Sequence, residues 1–150
     1  MKMLMLLSLF LLTACGESPL FNHKMEKAFL NRDQIFVENN GTSFNKIDRS
    51  FSLDWKVGPE LGESRFVLKT WNNSDATFNG PYTDLPYQLQ VVLWMPAMGH
   101  GSAPTKITKI NAGEYDVSSV YFIMNGKWDL KVQLLKDGKV FDEVLLSLTL

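Results

Sequence analysis

Three features of this 150-residue sequence predict an all-β sandwich of about seven strands. Apolar and polar residues alternate with a period of two along several segments. Val, Ile, Phe, Tyr and Trp crowd those segments, and Gly, Asn, Asp and Pro separate them. No stretch after Leu30 carries the pattern of an amphipathic helix. Two facing sheets would bury the alternating sets in a core about 10 Å thick. A small barrel is the second architecture, because periodicity does not say whether the sheet edges close.

The chain starts on a segment of another kind. Met1-Lys2-Met3 is a short positive start, and Leu4 to Leu12 is apolar apart from Ser8. A membrane-spanning helix needs about 20 apolar residues, so residues 1–14 read as a secretory signal peptide. Leu12-Thr13-Ala14-Cys15 resembles the lipobox of bacterial lipoproteins. That resemblance implies cleavage before Cys15 and acylation, with palmitate among the chains, of its thiol and new amino group. Several acyl chains would hold the protein on a lipid bilayer, where one grips marginally at about 0.8 kcal/mol per buried methylene. In the Gram-negative lipoproteins it resembles, a Gly at position 16 implies an outer-membrane anchor facing the periplasm. Cys15 is the only cysteine. An exported domain without a disulfide must rest on its core, which 45% apolar residues can supply. A net charge of -1 gives no basic patch for nucleic acid.

Residues 15–31 read as the lipidated N-terminus and tether, with His23 solvated beside Lys24. Residues 32–49 read as a linker with a short strand at Gln34-Ile35-Phe36-Val37, ended by the turn Asn39-Asn40-Gly41-Thr42. The sandwich is expected over 50–150. Phe51, Leu53, Trp55 and Val57 alternate with Ser52, Asp54 and Lys56. After Gly58-Pro59 comes Arg65 to Trp71, with Phe66 and Leu68 on one face and Val67 and Trp71 on the other, as if both sides were covered. Asn72 to Leu85 reads as a long loop with a short edge strand at Ala76-Thr77-Phe78. Tyr87 to Met95 is the central strand, and Lys106 to Ile110 a brief one. Glu114 to Met124 follows, and Asn125-Gly126 has the chemistry of a two-residue hairpin. Trp128, Leu130, Val132 and Leu134 alternate next. Asp137-Gly138 makes a second such turn, and Val140, Val144, Leu146, Leu148 and Leu150 close the domain on one face.

Chemistry concentrates in Trp94-Met95-Pro96-Ala97-Met98-Gly99-His100-Gly101-Ser102. Pro and Gly stop regular pairing there, and two thioethers and an imidazole lie within six residues. Thioethers favour Cu(I) and imidazole accepts either copper oxidation state. Met95, Met98 and His100, with Met124 if strand order brings it near, are the candidate metal ligands. The alternation also puts Met95 on the inward face, where methionine commonly fills a core. Catalysis finds little support: Ser43 and Ser102 lack a nucleophile-elbow setting, and Asp75, Asp84, Glu114 and Asp116 lack calcium-loop spacing. The chain is therefore read as a non-enzyme. Trp71, Tyr82 and Trp94 are candidate anchors for a protein partner, especially if the 72–85 loop and the Met/His loop share one end of the sandwich.

Met95-Pro96-Ala97-Met98-Gly99-His100-Gly101, then Gly113-Glu114-Tyr115, then Met124-Asn125-Gly126-Lys127-Trp128, resembles the YtkA-like and FixH-like families of small exported β domains. The resemblance runs from about Phe51 to Leu148. It implies an immunoglobulin-like sandwich and, in some relatives, copper handling or cytochrome oxidase assembly. Carried over residue by residue, the resemblance implies Met95, Met98 and His100 as the metal-facing set, while Gly126 and Trp128 fall at hairpin and core positions. The lipid anchor stands where FixH-like proteins have a transmembrane one. Two functions are carried forward: copper binding or delivery by an envelope lipoprotein, with a copper-handling partner, or a structural adaptor that binds another envelope protein.

Overall fold

The computed structural model describes residues 41–75 and 80–150. The expected signal peptide and tether, with Cys15 and His23, and the strands expected at 34–37 and 76–78 lie outside the described residues. Nine strands are described: β1 (Thr42–Ser43), β2 (Ser50–Val57), β3 (Gly62–Trp71), β4 (Gln88–Met95), β5 (His100–Gly101), β6 (Lys106–Asn111), β7 (Glu114–Phe122), β8 (Lys127–Lys136) and β9 (Lys139–Thr149). β1 and β5 have two residues each, so the long strands number the seven expected. All pairings are antiparallel, in sheets ordered β1-β2-β3-β7-β6 and β5-β4-β8-β9. In sequence order these are the A-B-E-D and G-F-C strands of an immunoglobulin-like sandwich, with β5 in the C′ place. No described helix is long and apolar enough to cross a membrane.

Alternation places the core. Phe51, Leu53 and Trp55 of β2 and Phe66 and Leu68 of β3 face Leu89, Val91, Leu93 and Met95 of β4 and Trp128, Leu130, Val132 and Leu134 of β8. The outer face of β3 is covered as its sequence foretold, since Val67 and Trp71 are buried too. Val67 sits between Asp54 and Asp116 in the register. Arg65 donates to Asp116 at 2.7 Å, and Lys56 and Lys69 lie 2.6 and 3.1 Å from Asp54, so long charged side chains roof the valine. Burial pushes the Asp54 carboxyl up, but the two ammonium groups outweigh it and hold it below its ordinary range.

The packed body reaches back before Ser50. Phe44 is buried against Phe51, with ring centroids 5.0 Å apart. Asp142, buried on β9, accepts the Lys46 N–H at 2.7 Å and the Asn45 amide at 3.3 Å. A carboxylate on a core-facing position is affordable only with such donors, and they tie residues 44–46 to the second sheet. Its neighbour Val140 is 52% exposed and does not share the closing face with Val144 and Leu146. A register shift between Leu134 and Leu135 reverses its side.

The 80–85 segment is pinned rather than loose. Thr83 N–H donates to Thr70 O at 2.8 Å and the Thr70 hydroxyl to Thr83 O at 2.6 Å. Asp84 accepts from Lys109 at 2.5 Å and from the Gly113 N–H at 2.7 Å, and these donors hold its carboxyl below the usual range. Gly113, at φ 64°, lets these chains meet: a Cβ there would fall 2.5 Å from Thr83 N and 2.8 Å from Thr70 O.

Two consequences are measurable. Gly113→Ala combines left-handed backbone with a clash against main chain, so thermal unfolding should show a loss of about 2 kcal/mol or more. Asp84, with a folded pKa depressed below its unfolded value near 3.9, contributes stability above that pH that is lost as pH falls through the folded value. Acid titration of Asp84→Asn should therefore show a flatter decline below about pH 4 than the parent. Superimposable acid curves would contradict this.

Candidate functional site

The site forms at the end of the sandwich where β4 stops. Pro96 has no N–H to extend the ladder, and Gly99 takes φ 67°, so the chain reverses over residues 96–99. The Met98 and Gly99 N–H groups both donate to Met95 O, at 3.1 and 3.0 Å. β5 then pairs back on β4, with His100 opposite Met95 and Gly101 opposite Trp94. Residues directly opposite in an antiparallel pair share a face, with Cβ atoms about 5 Å apart. Met95 faces the core, so His100 stands on the same face at the rim. Its Nδ1 lies 3.1 Å from Gly101 O. With the hydrogen on Nδ1 donated to that carbonyl, the Nε2 lone pair is left as an acceptor or metal ligand.

The second wall is the crossing from β7 to β8. Asn125-Gly126 does not form the two-residue hairpin its chemistry suggests, because β7 and β8 belong to different sheets. Gly126 has φ 136°, outside the hairpin-turn values, and Asn125 has no positive φ. The crossing is fixed instead by a reciprocal backbone pair, Gly126 N–H to Leu150 O at 3.0 Å and Leu150 N–H to Gly126 O at 3.1 Å. The fully buried Trp128 donates its indole N–H to Met124 O at 3.0 Å. A Cβ on Gly126 would lie 2.6 Å from the Met95 methyl. Thus Met95 reaches the crossing itself, two residues from Met124, which is half-buried against the core.

The four candidate ligands divide accordingly. Met95 is buried and reaches Gly126 of the crossing, His100 stands half-buried opposite it, and Met124, also half-buried, lies two residues before Gly126 in the chain. Met98 rides on the turn, 55% exposed, and points its thioether to the surroundings. Among the described residues no group of three His, Cys, Asp or Glu is placed to hold a metal, so any metal bound here would need the thioethers. The three candidate partner anchors do not form one patch. Trp71 is buried and Tyr82, half-buried, lies with the Lys69 ammonium 5.7 Å from its ring centre. Both belong to the end of the sandwich marked by Gly113. Trp94 lies at the other end, over Gly101, with the Lys131 ammonium 5.4 Å from its ring centre. The 80–85 segment and the Met/His loop are thus at opposite ends, separated by the eight residues of β4, roughly 26 Å at 3.3 Å each.

Sequence reading missed Gly126 as the seat of Met95, since an Asn-Gly pair signals a hairpin whichever sheets its flanks join. It also missed Asp142, which looked like one more solvated acid.

Fold and rim together define a class: an antiparallel, immunoglobulin-like β domain with a Met/His turn after its C strand. The comparison with protein families is more particular. Residues 81–133 match the family described as YtkA-like, a stretch that contains β4 to β7, the Met/His turn and the crossing with Met124 and Trp128. The chain therefore carries a YtkA-like segment at the resemblance its motifs suggested. No curated protein and no solved structure matches the chain.

The contact between Gly126 and Met95 is directly testable. Gly126→Ala should displace the Met95 side chain and lower the melting temperature by several degrees, as loss of about 1–3 kcal/mol from an overpacked core does in a domain this size. Gly138→Ala, also at positive φ but with open space around it, supplies the backbone-strain reference. Equal melting losses in the two variants would show that Met95 contributes nothing.

Proposed function

We propose that this is a non-catalytic, lipid-anchored protein of the cell envelope whose sandwich binds Cu(I) at the rim formed by Met95, His100 and Met124. The observation that carries the reading is the register of β4 and β5, which stands His100 opposite Met95. The residues fit such a metal. Two thioethers and one neutral imidazole are a soft, low-coordinate donor set, and the Nδ1 contact with Gly101 O orients the ring as outer partners of metal-bound histidines do. Met98, held outside on the turn, is suited to take or release the ion from a copper-handling partner. The lipobox at Cys15 supports the anchor, and an oxidising envelope supports a site built without thiolates. A structural adaptor role has less support, because its anchor set is split between the two ends.

Cu(I) titration against a competing chelator tests the reading. His100→Ala and Met124→Leu should each weaken binding by at least tenfold, about 1.4 kcal/mol, while Met98→Leu should slow exchange with the chelator more than it changes affinity. Trp94→Phe should leave affinity unchanged. Equal affinity in the parent, His100→Ala and Met124→Leu would remove the site.

A further inference from the structure

The sandwich has an open groove of about 700 Å³ between its two sheets, on the side away from β9. One wall is β4 from Gln88 to Leu93, and the other is Ala103, Pro104, Thr105, Ile107 and Lys109. β5, in the C′ place, pairs β4 only at Trp94 and Met95. Below Trp94 no described strand covers that edge of β4. Backbone groups alternate sides along a strand. Ser102 N–H to Leu93 O at 3.2 Å and the Thr105 hydroxyl to Val91 O at 2.8 Å show which residues aim outward. The same alternation turns the Leu89 N–H and C=O and the Val91 N–H to the groove. The Ser102 hydroxyl, which also lines it, is buried with no hydrogen-bond partner. Buried main-chain donors and acceptors without partners are costly, and an added strand would satisfy them.

We infer that this edge receives an extended, uncharged peptide segment of another protein as an extra strand of the second sheet. Strand addition takes affinity from main-chain bonds and specificity from pockets for alternate side chains. Leu85, Leu89 and Ile107 offer apolar lining for those side chains. Charge fixes the chemistry further. Among the described residues, the only charged side chains on the groove, Asp84 and Lys109, are paired with each other at 2.5 Å, so neither is free to neutralise a charge entering with the peptide. The opposing edge, β6, carries Lys106 and Lys109, the usual protection against stray pairing. The outward side chains of β4 that flank the open backbone are Gln88, Gln90 and Val92, with no charge among them. A whole second domain would meet the 103–107 wall, whereas a single strand would not.

Amide hydrogen exchange of the full chain tests this. The probe is a mixture of acetylated, amidated hexapeptides with Val, Leu or Ile at alternate positions and Ser or Thr between. At millimolar peptide, protection of Leu89 and Val91 should rise at least tenfold. N-methylation of alternate peptide nitrogens should abolish the gain, and so should Ala103→Trp, which fills the groove from an exposed position. Protection unchanged by the mixture, or equal in parent and Ala103→Trp, would overturn the inference. Protection that rises with protein concentration in the absence of peptide would overturn it in favour of a second copy.

Discussion

The arrangement depends on how the chain crosses from one sheet to the other just before β8. Trp128 is the fixed point. Its ring is wholly buried and meets Phe122 edge-on, with centroids 5.6 Å apart and planes at 78°. Its one polar atom is satisfied by Met124 O. A buried indole contributes a large apolar area and, with its N–H bonded, carries no desolvation penalty. Because the ring belongs to the second sheet and the phenylalanine to the first, the contact joins the layers. Because the accepting carbonyl belongs to Met124, it also sets the path of the crossing.

The rim follows from that path. With the crossing held by Trp128 on one side and the Gly126–Leu150 pair on the other, Gly126 offers a surface without a Cβ. The Met95 methyl occupies it, which draws the end of β4 toward the crossing. The turn that follows must then be short, and its reversal returns His100 to the face that Met95 occupies. Core packing and the turn are therefore a single arrangement: the thioether that closes the core belongs to the residue paired opposite His100. At the opposite end Asp84 and Gly113 perform a comparable clamping task with polar groups, and between the ends no described strand pairs with that edge of β4 below Trp94.

Most of the strands were legible because burial on one face writes a period of two directly into the sequence, as in Phe51-Leu53-Trp55 and Leu89-Val91-Leu93-Met95. Asp137-Gly138 was legible as well, and both residues take the positive φ its turn needs. Asn125-Gly126 was not, because local turn chemistry carries no information about which sheet the next strand joins. The β9 bulge that exposes Val140 leaves no periodic trace until pairing with β8 is known. Of the candidate site, the residue types were visible and the grouping was only partly so. Met95 and His100 were close in sequence, but the approach of Met95 to Gly126, two residues from Met124, depends on a crossing between sheets. Separation of Trp94 from Trp71 and Tyr82 depends likewise on topology.

Copper K-edge X-ray absorption of the Cu(I)-loaded chain tests the proposed donor set most directly. A coordination shell with sulfur and one imidazole nitrogen, the nitrogen disappearing in His100→Ala and part of the sulfur in Met124→Leu, is the predicted result. A shell of nitrogen and oxygen alone, or one that neither substitution changes, would contradict the account.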